Sequence, residues 1–140
     1  MEHLSLIHQQ YLRNLKSTFK RDLLDQIDWK NRMIGITGAR GVGKTTLLLQ
    51  HIFQTFGFSS DVLYLTMDHI QLSGVSLLEI ASYHTSMGGT HLFIDEIHKS
   101  ENWSSELKTI YDLYPDLKLV FTSSSILEIY KGQADLSRRV

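Results

Sequence analysis

Cysteine is absent from this chain of 140 residues, proline occurs once, and neither sign of charge prevails. Without a thiol, disulfides, thiolate metal sites and cysteine nucleophiles are excluded, which fits a reducing compartment. Fourteen basic and fifteen acidic side chains give a formal net charge of −1, so no global field draws in nucleic acid or anionic lipid. No apolar run approaches the roughly 18 residues of a membrane span. The first residues, Met1-Glu2-His3-Leu4-Ser5, lack the basic segment and apolar stretch of a signal peptide. No membrane partner is expected, and the cytoplasm is the expected location. The 7 histidines show no metal-ligand spacing, so zinc is not expected.

What is present suits one globular domain: 42% hydrophobic and 21% charged residues, in a chain long enough to bury a core. Leu4, Ile7, Tyr11, Leu12, Leu15 and Phe19 recur at helical spacing and predict an amphipathic helix, continuing or restarting around Arg21–Ile27. Strands are expected near 32–37, 62–67, 91–94 and 117–122. Helices are expected near 44–56, 76–86 and 102–114, with a short one at 126–130. Gly57 caps the first of these helices, Gly88-Gly89 ends the second, and Pro115 closes the third. Strands alternating with helices mean an α/β fold, a parallel sheet with helices on both faces. The reading divides the chain into an N-terminal helical segment, 1–30, packing on the core, and an α/β domain, 31–140. No strand is expected after Val140 to cover the free edge of strand one. The chain is then a piece of a longer protein, or another element, such as the N-terminal helix, covers that edge.

The chemistry sits at two strand tips. Gly38-Ala39-Arg40-Gly41-Val42-Gly43-Lys44-Thr45 is a complete G-x-x-x-x-G-K-T P-loop, placed between the apolar run Met33-Ile34-Gly35-Ile36-Thr37 and the helical run beginning at Thr46. Its glycines let successive N–H groups turn towards phosphates, and the following helix adds its own partial positive charge. Lys44 would reach the β- and γ-phosphates of ATP, and the Thr45 hydroxyl would ligate Mg²⁺. Leu92-Phe93-Ile94-Asp95-Glu96, an apolar strand closed by two acids, has the Walker B pattern. Parallel strands deliver their C-terminal ends to one crevice. Asp95 would therefore hold Mg²⁺ through a water, and Glu96 would deprotonate the attacking water. Asp68 at the second strand tip faces the same crevice or serves only as a turn residue. His98 either couples the site to a loop or, the favoured reading, is a surface histidine, and Trp103, Leu107 and Ile110 read as core.

These motifs, with Ile97-His98-Lys99, Trp103, Leu107-Lys108, Asp112 and Leu117-Lys118-Leu119-Val120-Phe121-Thr122, resemble the AAA-type P-loop ATPases of bacteria and archaea. The closest likeness is to the uncharacterised group whose ATPase domain precedes a C-terminal domain of unknown function. The resemblance implies strand order 1-4-3-2, ATP and Mg²⁺ as ligands, and a phosphate contact spanning Gly38 to Thr46. It also implies a fifth strand and a helical lid, neither of which is expected within these 140 residues. Thr122 and Ser124, in the serine-rich tip of strand four, would sense the γ-phosphate, or the serines would cap the next helix. Members usually read Thr-Gly-Ser-Ser there, and Ser123 stands here in place of the glycine. Arg138 and Arg139 would project into a neighbouring subunit of a homo-oligomer, or form a solvated basic helix end. ATP hydrolysis is the expected activity. A nucleotide-binding switch or fragment without turnover is the alternative. A helicase reading of Asp95-Glu96-Ile97-His98 calls for two tandem domains, more than 140 residues hold.

Overall fold

A computed structural model describes residues 2–13, 27, 29–37, 43–68 and 74–123. The expected helix beyond Arg13, the helix at 126–130, and Gly38, Ala39, Arg40, Gly41, Val42, Ser124, Arg138 and Arg139 lie outside the described residues. Within them, α1 covers Glu2–Arg13, β1 Met33–Thr37, α2 Lys44–Phe56 and β2 Val62–Thr66. Then follow α3 at Leu77–Ser86, β3 at His91–Asp95, a 3₁₀ turn at Ile97–Lys99, α4 at Trp103–Leu113 and β4 at Lys118–Ser123. The four strands form one parallel sheet in the order β1-β4-β3-β2. This is the α/β architecture and the strand order expected.

Alternation along each strand explains why the strand sequences are continuously apolar. Leu63, Leu65, Leu92, Ile94, Leu119 and Phe121 face one side, where they meet Ile80 of α3 and Leu107 and Ile110 of α4. Tyr64, Phe93 and Val120 face the other side and meet Leu47, Leu48 and Ile52 of α2. A sheet covered on both faces has no polar side. Trp103, Leu107 and Ile110 are buried, as expected for core.

Local signals place the helix ends. Ser76 accepts the N–H of Glu79 at 3.0 Å and caps α3. Gly57, at φ 60°, sends its N–H to the carbonyl of Phe53 at 3.1 Å and ends α2. Arg32, just ahead of β1, donates from Nη2 to the Tyr111 carbonyl at 2.6 Å, with its guanidinium 3.7 Å over the Tyr111 ring. That cation complements the C-terminal end of α4.

The first helix differs from expectation in where it lies. It packs against β2 at the opposite edge of the sheet from β1: Leu4 enters the core, and His8 Nδ1 accepts the Tyr64 N–H at 2.7 Å. An edge strand presents backbone donors on its open side, and α1 covers that of Tyr64.

Candidate functional site

Helix α2 begins at the tip of the sheet without a side-chain cap. Gly43 occupies its N-cap position at φ 90°, a left-handed conformation suited to glycine, and its carbonyl accepts the Leu47 N–H at 2.9 Å. The first turn holds no acidic residue, so the positive end of the helix and its amide donors are not neutralised from within the turn. Lys44, Thr45 and Thr46 form that turn. Leu47, Leu48 and Ile52 are buried beneath them, and side chains of this size each contribute about 1.5–3 kcal/mol. They anchor the helix so that its N-terminus stays at the strand tips.

Asp95 closes β3 on the α2 side of the sheet and is 1% exposed. Three hydroxyls converge on its carboxylate. Thr45 donates to Oδ2 at 2.5 Å, and Tyr64 donates to the same oxygen at 2.8 Å. Thr122 donates to Oδ1. The first of these bonds joins the first turn of α2 to the end of β3 across 50 residues of sequence. Tyr64 carries no motif signal. Its only sequence clue is a polar-tipped aromatic in a strand two residues short of the crevice, and such a hydroxyl usually finds a partner when buried.

Thr122 is expected from its sequence to report on the γ-phosphate. The structure instead buries its hydroxyl completely, with the single proton on Asp95 and the oxygen accepting the Glu96 N–H at 2.9 Å. One hydroxyl thereby fixes both acids. Glu96 sits at φ 54°, ψ 47°, the one non-glycine residue at positive φ among those described. A left-handed conformation costs roughly 1–2 kcal/mol for a residue with a Cβ, and the Thr122 bond holds Glu96 there.

His98 is not the surface residue the sequence suggests. Its side chain is 13% exposed, its Nε2 lies 3.4 Å from Glu96 Oε2, and its Nδ1 lies 3.2 Å from Ser123 Oγ. The unexpected 3₁₀ turn brings this about by folding the chain back after Glu96, so that His98 returns to the tip of β4. Asp68 lies in the turn after β2, where its N–H reaches Thr66 Oγ1 at 3.3 Å and its carboxylate lies 3.9 Å from Lys99 Nζ.

The oxygens of Thr45 and Asp95 lie together and could hold a cation. Hard oxygen ligands with a single carboxylate suit Mg²⁺, which keeps several of its waters, better than zinc. Among the described residues no group of three or more His, Cys, Asp or Glu is arranged around a metal position. Nor is any described helix long and apolar enough to cross a membrane.

Over an alignment of 119 residues the chain is 32% identical to the uncharacterized protein MJ1637 of Methanocaldococcus jannaschii, covering 79% of this chain and 25% of that protein. The chain thus spans about a quarter of that relative's length. The solved structure of PCH-2 from C. elegans superposes with a TM-score of 0.50 at 17% identity, covering 98% of this chain and 39% of PCH-2, a likeness of fold. The family described as AAA domain matches residues 30–140, from just before β1 through both strand tips. The fold is accordingly that of the nucleotide-binding P-loop ATPases, and the chain belongs to the AAA domain family.

Proposed function

We propose that this chain binds ATP and hydrolyses it at the γ-phosphate in a reaction dependent on Mg²⁺. The observation that carries the reading is the hydrogen bond from Thr45 to Asp95, which sets the P-loop hydroxyl against the buried acid of β3. The α2 N-terminus and the segment Gly38, Ala39, Arg40, Gly41, Val42 and Gly43 would receive the phosphates, with Lys44 and Thr46 beside them. Thr45 and Asp95 would hold Mg²⁺, which when bound neutralises charge on the phosphate oxygens. Glu96 would take the proton of the attacking water as the new oxygen–phosphorus bond forms and the bond to the β-phosphate oxygen breaks, releasing ADP and phosphate. The Glu96 carboxylate would be aimed by His98, itself steadied by Ser123, a link that a glycine at 123 could not make.

Ser124 would meet the γ-phosphate, while Thr122 would hold Asp95 and Glu96 in place. Arg138 or Arg139 would complete a neighbouring copy's site in a homo-oligomer, where such a residue is worth ~10³–10⁵ in rate.

Calorimetric titration with MgATP tests the binding half. Lys44→Ala removes a charge-assisted contact of about 1.5–3 kcal/mol, so Kd should rise roughly 10- to 150-fold. An unchanged Kd would refute the P-loop as the phosphate site.

A further inference from the structure

Asp95 is gripped from two sides by groups with no ligand role in the proposed site: Thr122 on Oδ1 and Tyr64 on Oδ2. Thr45 also donates to Oδ2, but its oxygen is itself a proposed ligand. Tyr64 and Thr122 are therefore the donors able to fix the carboxylate's rotation without competing for the cation. Outer partners of metal ligands act in this way, orienting the ligand and raising its affinity.

The position of Tyr64 depends in turn on the first helix. Its side chain is fully buried in the α2-facing half of the core. Its backbone N–H points to the open edge of β2, where His8 Nδ1 accepts it at 2.7 Å. Burial and the nearby His84 push the His8 pKa down to about 4, so at neutral pH the ring is uncharged. Because Nδ1 accepts, the ring proton belongs on Nε2. Leu4, 1% exposed, anchors the same helix one turn earlier.

We propose that Tyr64, seated by His8, is a positioning residue for Asp95, so that docking of α1 on the β2 edge helps set the chain's affinity for Mg²⁺. The inference rests on the reading of Asp95 as the carboxylate that holds Mg²⁺.

The test is calorimetric titration of ADP into the 140-residue chain at a series of Mg²⁺ concentrations and in EDTA. Tyr64→Phe keeps the ring and removes one hydroxyl. The Mg²⁺ concentration giving half-maximal enhancement of ADP binding should rise roughly 10- to 100-fold, with affinity in EDTA unchanged. His8→Leu should shift it the same way, and His8→Asn, whose side-chain oxygen replaces Nδ1 as acceptor, should restore it. General loosening of the fold would lower affinity in EDTA as well and would not be rescued by Asn. An unshifted Mg²⁺ dependence in Tyr64→Phe would overturn this inference alone. A wild-type chain whose ADP affinity ignores Mg²⁺ would overturn the reading of Asp95, and this inference with it.

Discussion

Replacing Thr122 by valine preserves shape and deletes one hydroxyl, and the structure gives that hydroxyl two tasks. It donates to the Asp95 carboxylate and accepts the Glu96 N–H, all within a fully buried site. A hydrogen bond to a charged group is worth about 1.5–3 kcal/mol, and a stranded buried N–H costs about 1–3 kcal/mol. The two effects share one atom and overlap, so Thr122→Val should lower stability by about 2–4 kcal/mol. Unfolding entropy near 2.1 cal/mol/K per residue makes each kcal/mol worth roughly 3–4 °C in a chain of 140 residues. The expected fall in Tm is therefore about 7–14 °C by calorimetry. Thr122→Ser, which keeps the hydroxyl, should recover most of it. A valine variant melting within about 2 °C of wild type would show that Thr122 does not join the two acids.

Gly35 lies beside Phe121 in the sheet, and a Cβ there would come within 2.8 Å of the ring's Cζ. Phe121 is 2% exposed and packs against Trp103, leaving the ring little room to yield. Gly35→Ala should destabilise the chain by about 1–3 kcal/mol, seen as a lower urea midpoint. His8 supplies a pH dependence. Its pKa falls from 6.5 unfolded to about 4 folded, so between these values the unfolded chain binds the extra proton. Stability is complete above pH ~6.5 and is lost as pH falls towards 4, by up to about 3 kcal/mol. Burial shifts His51 the same way. His8→Asn should make the urea-measured stability profile shallower over this range, with His51 keeping the remaining slope.

Among the described residues the sequence reveals the element limits almost to the residue, because strands buried on both faces and glycine-stopped helices write their limits locally. Helix 44–56 is a case in point, whereas the sheet order is what the family resemblance implies. The link from Lys44-Thr45 to Asp95-Glu96 is legible for a related reason: parallel strands bring their tips together whatever lies between. Cross-sheet partners are not written this way. Tyr64 meets Asp95 only because β2 pairs with β3 in a particular register, and no local pattern carries that register. His98 looks exposed because its polar neighbours suggest a loop, while the left-handed turn at Glu96 folds it back onto β4. The location of α1 is hidden too, since an amphipathic helix shows that it has a buried face without naming the edge it covers.

The central claim is that Glu96 activates water at the site formed by α2 and β3. Phosphate release at saturating MgATP, measured with binding in the same samples of wild type and Glu96→Gln, tests it most directly. A positioned base contributes ~10²–10⁴ in rate, so the variant should bind ATP as wild type does and release phosphate at least ~100-fold more slowly. Equal release rates would contradict the role of Glu96. Tight binding with no release by wild type would contradict hydrolysis and leave a nucleotide-binding switch.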